Sequence, residues 1–349
     1  VQNNPYKFSE PLDPNLDEPV CIQREETVNK IIEGVVFQND YWVIYGSNYS
    51  GKTTLFKLIK ANYPRAHYVY VDFNAKPGID KTVFYAELYR SIIKETASNQ
   101  SSLDLTHRYF QGDNPDIQFF KLLRQVTFSK PGKKIILFFD NIEYLSFYKD
   151  FLILWRKIFI ERQIHGELKK YSVIITGPNS LIALTIGTGS PFNIAKTMYL
   201  SDFTTVESCS LIDKPLQQMG ISIEPDAREF ILNQVAGHPQ MLQHLCHILV
   251  EKTVESGSKG IITIEDVQNA IDILLGESHC LRLLQQDIET NEKLKSLLTA
   301  LCQGEKKKFL AYQEFSTFGA GAVVEKNYNC VFRNPVYERF IRDFLKIPS

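Results

Sequence analysis

Eight consecutive residues constrain this chain more than any others. Gly46-Ser47-Asn48-Tyr49-Ser50-Gly51-Lys52-Thr53 fits G-x-x-x-x-G-K-[ST] at every fixed position. The apolar run YWVIY at 41–45 ends directly before it, and Leu55, Leu58 and Ile59 follow at helical spacing. The reading is a buried strand, a tight turn, and a helix starting at about Gly51. Glycines let the backbone turn so that successive N–H groups converge on an anion. The helix that follows adds the partial positive charge of its N-terminus. In such a P-loop the lysine reaches the β- and γ-phosphates of a nucleoside triphosphate, and the Ser/Thr hydroxyl ligates Mg²⁺. Gly46, Ser47, Asn48, Tyr49, Ser50, Gly51, Lys52, Thr53 and Thr54 are therefore candidates for holding ATP. Lys52 is also a catalytic candidate, and Thr53 a metal ligand.

The remainder of the first 200 residues supplies the matching scaffold. Val28–Val36 carries helical spacing, and HYVYVDF at 67–73 is a second strand bounded by Asn74, Pro77 and Gly78. Helical stretches at about 80–97 and 115–128 flank a polar loop containing Ser101, Ser102, Gly112 and Asn114. KIILFF at 134–139 and YSVIIT at 171–176 are continuous apolar runs, the pattern of strands buried on both faces. A helix around 144–163 separates them, and Thr197–Leu200 is a shorter strand candidate. Strands alternating with helices predict an α/β fold with a parallel, doubly wound sheet and ligands at the carboxyl ends of its strands.

The apolar strand ending at Phe139 runs into Asp140, the expected second half of a P-loop site. A carboxylate there holds Mg²⁺ through water. Many P-loop ATPases place Glu next, to polarise the attacking water, but Asn141 stands here and an amide is no base. Glu143 is the candidate substitute. After the YSVIIT strand, Thr176 and Asn179 are candidates for sensing the γ-phosphate, with Asn179 preferred. Hydrolysis is therefore read as slow or dependent on a partner.

Beyond Phe203 the pattern changes. Thr204 with Glu207 predicts a capping box, and consecutive helices follow to about Leu301, one marked by Met241, Leu242, Leu245, Ile248 and Leu249. Val323–Lys326 and Asn329–Arg333 suggest a hairpin, Pro335–Leu345 a closing helix, and the whole a winged-helix-like module. Domains are expected at 1–20 (an extended lead-in), 21–202 (the P-loop core), 203–288 (a helical lid) and 289–349 (the winged-helix-like part). The length of 349 residues suits such a division.

Composition removes several alternatives. A net charge of −1 gives no global attraction to nucleic acid or an anionic membrane. No apolar run approaches the ~20 residues that span a bilayer. Six cysteines without C-x-x-C spacing point to reduced thiols and a cytoplasmic protein. His244 and His247 beside Cys246 have no second ligand pair at finger spacing. The sequence opens on Val1 rather than Met, as a fragment of a longer chain would.

These segments together resemble the AAA-like domain shared by STAND signalling NTPases and the archaeal ATPase and origin-recognition group. Asn4-Pro5-Tyr6 leads to Val20-Cys21-Ile22-Gln23-Arg24-Glu25, which is similar to the family's apolar–apolar–Gly–Arg–Glu box, with Gln23 in place of the Gly. The resemblance implies that Arg24 lies beside the nucleotide. Ser190–Ile194 leading into Leu200-Ser201-Asp202-Phe203 looks like the connection to the lid, and Gly237-His238-Pro239 like the lid's Gly-x-Pro motif. The latter implies that Pro239 packs near adenine. Phe332-Arg333-Asn334-Pro335-Val336-Tyr337 resembles the entry to the last helix of the C-terminal module.

The resulting expectation is an ATP·Mg²⁺-dependent switch that responds to ATP versus ADP and acts by self-association or on protein partners. Two alternatives stand beside it. One is a DNA-associated ATPase, motivated by the C-terminal module and Lys306, Lys307 and Lys308. The other is a nucleotide-binding scaffold without turnover.

Overall fold

A computed structural model describes residues 4–75, 78–96, 114–126, 133–186, 190–255, 260–308 and 321–348. Pro77 and the loop positions Ser101, Ser102 and Gly112 lie outside those residues. The chain forms two compact units, one of residues 24–45 and 58–199, the other of residues 1–23, 46–57 and 200–349.

The first unit is built on a five-stranded parallel sheet. Its elements in chain order are α1 (Glu25–Ile32), β1 (Trp42–Tyr45), the end of α2 (Lys52–Asn62), β2 (His67–Asp72), α3 (Lys81–Thr96), α4 (Pro115–Gln125), β3 (Ile135–Asp140), α5 (Tyr148–Glu161), β4 (Tyr171–Gly177) and β5 (Lys196–Tyr199). The strand order is β2-β3-β4-β1-β5, so β1 is inserted between the last two strands. Every residue of β3 and β4 is buried, as their unbroken apolar runs predict. The edge strands β2 and β5 are more exposed, and on β5 Lys196 pairs with Asp40 at 2.6 Å. A charge on an edge strand discourages pairing with another chain.

Alternation along the strands sorts their side chains onto two faces. Val43, Val69, Leu137, Phe139, Val173 and Ile175 share one core cluster with Phe84, Tyr85, Phe119, Phe151 and Trp155 of α3, α4 and α5. Phe139 meets Phe151 edge-on at 4.9 Å, and Tyr85 stacks on Phe119 at 4.7 Å. The opposite face belongs to α1 and α2. There Tyr68 donates to the Tyr63 carbonyl at 2.7 Å, and Ser172 donates to the Val35 carbonyl at 2.5 Å. The helix expected over Val28–Val36 begins earlier and ends in a π-helical turn, Glu33–Gln38. Gly34 lies against the indole of Trp42, where an added Cβ would fall 2.4 Å from Nε1, so this turn approaches the sheet too closely for a side chain.

The second unit is mainly helical. Alongside the lead-in and the P-loop segment it contains α6 (Thr205–Gln218), α7 (Pro225–Val235), α8 (Pro239–Glu255), α9 (Ile264–Glu277), α10 (His279–Thr290) and α11 (Glu292–Cys302). Two two-residue strands, β6 (Ser222–Ile223) and β7 (Ile261–Ile262), pair in parallel beside them. The Thr204–Glu207 capping box forms, with reciprocal bonds of 2.8 and 3.2 Å. Thr263 and Asp266 form a second one at the start of α9. The chain closes with a hairpin, β8 (Val323–Lys326) and β9 (Asn329–Phe332), and with α12 (Pro335–Leu345). The hairpin loop is two residues long, with φ of 51° at Asn327 and 63° at Tyr328. That is the pattern of a type I′ turn, whose twist suits antiparallel strands.

The lead-in is anchored rather than loose. The Tyr6 hydroxyl reaches the Leu211 and Ile212 carbonyls, Asn4 donates to the His247 carbonyl at 2.9 Å, and Phe8 stacks on His244 at 3.7 Å. Burial, with nearby His247, lowers the His244 pKa to about 4, so the imidazole folds neutral. Its contribution to stability is complete above an unfolded pKa near 6.5 and is lost as pH falls towards 4. Chemical denaturation at pH 7.5 and pH 5 checks this. His244→Phe, which keeps a ring against Phe8 and does not titrate, should lose about 2 kcal/mol less than the wild type over that interval.

Candidate nucleotide site

The chain leaves β1 at Tyr45 and enters the loop at Gly46. An added Cβ at Gly46 would lie 2.8 Å from the Leu200 carbonyl oxygen, so only glycine fits. Tyr49 and Gly51 take positive φ, 61° and 91°, which folds the loop into a compact turn before α2 starts at Lys52. Lys52 is 8% exposed and arches back over the loop, donating to the carbonyls of Gly46 at 3.0 Å and Ser47 at 2.9 Å. The Ser47 hydroxyl is buried and makes no hydrogen bond among the described residues. A buried polar atom left in that state costs about 1–3 kcal/mol, a cost that a bound anion could relieve. Thr53 and Thr54 lie half-buried on the first turn of α2.

In the same unit a buried arginine grips this loop. The Arg333 side chain is 2% exposed and forms a two-pronged ion pair with Asp202, its Nε donating to Oδ2 at 2.7 Å and its Nη2 to Oδ1. Its Nη1 donates to the Asn48 carbonyl at 3.1 Å. Gly321 makes the approach possible, since a Cβ there would fall 2.7 Å from the Ser47 Cβ. Both residues lie in segments that carry the family resemblance, but the sequence does not show that they pair. They lie 131 positions apart, and no local motif links them.

The Gly237-His238-Pro239 segment is fixed by equally close contacts. At Gly237, with φ of 75°, an added Cβ would meet the Phe203 carbonyl oxygen at 2.1 Å. Pro239 is buried as the first residue of α8. His238 accepts from the Met241 amide at Nδ1, which leaves the proton on Nε2 to donate to the Tyr337 hydroxyl at 3.1 Å. Full burial and the charge of Arg333 hold the His238 pKa well below the usual imidazole value, in keeping with this neutral form. Asn334 caps α12 by accepting from the Tyr337 amide at 3.0 Å and donates to the Val235 carbonyl at 3.1 Å. The polar side chains Arg333, Asp202, His238, Tyr337 and Asn334 thus tie the P-loop, the chain around α7 and α8, and α12 together.

In the sheet unit, Asp140 ends β3 and is 1% exposed. Tyr70 donates to its Oδ2 at 2.9 Å and Thr176 to its Oδ1. These bonds hold the carboxylate in one orientation. Asn141 adopts a left-handed conformation with φ of 57° and donates its amide to Asp72 Oδ1 at 2.9 Å. Glu143 lies in a 3₁₀ turn, Ile142–Tyr144, with Oε2 enclosed against Gly177. Asn179 opens another 3₁₀ segment just beyond β4. Arg24 is the N-cap of α1 and itself takes the left-handed turn, φ 45°, next to Gln23. A carboxylate and a threonine hydroxyl are the hard oxygen donors that Mg²⁺ prefers, and this ion commonly needs only one or two carboxylates besides phosphate oxygens. Asp140 and Thr53, each taken in its own unit, are donors of that type.

A family profile for an AAA-like domain matches residues 12–343. The chain belongs to the AAA-like domain family. The fold is also similar to that of the Walker-type ATPase of Pyrococcus abyssi, with a TM-score of 0.65 at 16% identity, covering 92% of this chain and 96% of that one. The ORC2 protein of Aeropyrum pernix, solved in ADPNP–ADP complexes, gives 0.54 at 14% identity, covering 97% and 96%. The RuvB Holliday junction branch migration motor of Thermotoga maritima gives 0.52 at 15% identity, covering 98% and 100%. No curated protein matches. As an AAA-like P-loop ATPase domain, this chain is a nucleotide-binding protein. Among its described residues no helix is long and apolar enough to cross a membrane.

Several charges near the C-terminus are engaged in ion pairs. Lys307 pairs with Glu305 at 2.8 Å, Arg342 pairs with Glu338 at 2.9 Å, and Arg339 pairs with Asp272 at 2.5 Å. The ion pair beneath the P-loop gives the clearest energetic test. Removing one partner of a buried pair strands the other, whereas replacing both with apolar groups does not. Asp202→Ala should cost about 3 kcal/mol in urea denaturation, and the double variant Asp202→Leu/Arg333→Met should recover most of that loss.

Proposed function

We propose that this AAA-like domain binds ATP with Mg²⁺ and works as a nucleotide-dependent conformational or oligomerisation switch whose hydrolysis is slow or partner-dependent. Residues 46–54, Arg24 and Pro239 would contact the nucleotide, and Thr53 and Asp140 would hold the metal. When bound, Mg²⁺ would supply charge neutralisation at the phosphates. On this reading the chain divides into a core at 21–202, a lid at 203–288 and a winged-helix-like module at 289–349.

The observation that carries the proposal is the grip of Arg333 on the Asn48 carbonyl, inside the loop that receives phosphate. A nucleotide moves a conformational equilibrium only through contacts that differ in the two states. A γ-phosphate drawing Lys52 off the Gly46 and Ser47 carbonyls would reshape the loop whose next carbonyl Arg333 holds. Arg333 is fixed in turn by Asp202, and its neighbour Asn334 caps α12. Phosphate occupancy is thereby coupled to the C-terminal elements through a few hydrogen bonds. The similarity in fold to ORC2, solved with ADPNP and ADP, supports this reading.

Size-exclusion chromatography with light scattering in ATP, ADP and no nucleotide tests the switch. A change in mass or hydrodynamic radius with ATP alone, lost in Arg333→Met, is the expected result. Identical profiles in all three conditions would contradict it.

A further inference from the structure

We propose that the cavity between β9 and the turn after α11 is a binding site for a small phosphate-bearing anion, separate from the P-loop. All of its residues belong to the helical unit, and the site does not depend on how ATP binds.

The backbone places the cavity. Gly304, with φ of 77°, turns the chain away from α11. The Cys330 amide then donates to the Lys307 carbonyl at 2.7 Å, and Lys308 bridges to Asn329, so this segment runs along one edge of β9. On the other edge Lys326 of β8 pairs with Asn329. β9 therefore lies between two lysine-bearing segments. The space bounded by the turn, β9 and the start of α12 is about 660 Å³, a volume typical of small-molecule sites.

The charges that line this space are unevenly satisfied. Glu305 and Glu338 are both in the wall, but Lys307 neutralises the first at 2.8 Å and Arg342 the second at 2.9 Å. Arg333, also in the wall, is neutralised by Asp202. Lys306 and Lys326 line the same cavity, and among the described residues neither makes an ion pair. Two positive charges are thus left without a counter-charge. An ammonium is a compact point charge with rotatable N–H donors, suited to phosphate oxygens, and a dianion matches the pair. Leu301 and Val331 supply apolar wall for the organic part of such a ligand.

The same charge pattern disfavours a nucleic-acid strand. A duplex carries a continuous row of phosphates, whereas Glu305 and Glu338 interrupt the basic surface here. A small anion needs only the two lysines. It would also rest against Arg333 and Asn334, which hold the Asn48 carbonyl and cap α12.

The test is calorimetric titration of the whole chain with inorganic pyrophosphate at fixed ionic strength. The Lys52→Ala variant is used, so that the P-loop lysine makes no contribution. Binding with a dissociation constant of about 1 mM or tighter is expected. Lys306→Ala and Lys326→Ala should each weaken it about tenfold, and together abolish it. Lys306→Arg/Lys326→Arg keeps both charges and should retain most of the affinity. Both lysines are exposed, so these variants should fold with an unchanged thermal midpoint. If Lys52→Ala does not fold, the same titration of the wild type carries the test, and it should show a second site that the double alanine variant lacks. No pyrophosphate binding to a folded Lys52→Ala protein, or affinity unchanged in the double alanine variant, would overturn the proposal. So would lysine-dependent binding of duplex DNA without pyrophosphate binding. None of these results bears on ATP at the P-loop, which titration of the wild type with ATP tests separately.

Discussion

The parallel register of β2, β3 and β4 is the constraint from which the chemistry of the sheet unit follows. β3 and β4 are buried along their whole length, so neither can slip by one residue without turning its apolar face outward. With that register set, Asp72, Asp140 and Thr176 come abreast at the carboxyl edge. Tyr70 and Thr176 then orient the Asp140 carboxylate, and Asn141 orients Asp72. The aromatic packing of Phe139, Phe151 and Trp155 on the opposite face stabilises this arrangement without taking part in it. A polar cluster is thus displayed at the end of a strand that is otherwise wholly apolar.

The helical unit answers the same problem differently. A P-loop needs close backbone approach, and glycine provides it at Gly46, Gly321 and Gly237, where a side chain would collide with a neighbouring carbonyl or side chain. Close approach leaves little room for water, so buried polar groups must satisfy one another. Arg333 does so with Asp202 and the Asn48 carbonyl, and His238 does so as a neutral ring bonded to Tyr337. Burial first, and then the charge of Arg333, favour that neutral imidazole. A change at the phosphate loop therefore meets a connected set of hydrogen bonds instead of solvent.

Much of this is legible in the sequence, and the remainder is hidden for identifiable physical reasons. The P-loop, the strands ending at Asp140 and Gly177, the Thr204–Glu207 cap and the Pro335–Leu345 helix all depend on short-range patterns that a single sequence displays. The strand order does not, because inserting β1 between β4 and β5 is a matter of long-range packing. The pairing of Asp202 with Arg333 was hidden by their separation along the chain. In the sequence Asp72, followed by Asn74 and Pro77-Gly78, reads as ordinary turn chemistry, and only the strand register brings it beside Asp140. Tyr6 and Phe8 sat in a polar lead-in and gave no periodic signal, yet they are held against α6 and α8.

We propose above all that Gly46–Thr53 receives the triphosphate of ATP in the presence of Mg²⁺. Calorimetric titration of the whole chain with ATP, in Mg²⁺ and in excess chelator, tests it most directly. One ATP per chain is expected in Mg²⁺, with weaker binding in chelator and loss of binding in Lys52→Ala while the fold is retained. Equal affinity in the wild type and a folded Lys52→Ala variant, or no binding to the wild type, would contradict it.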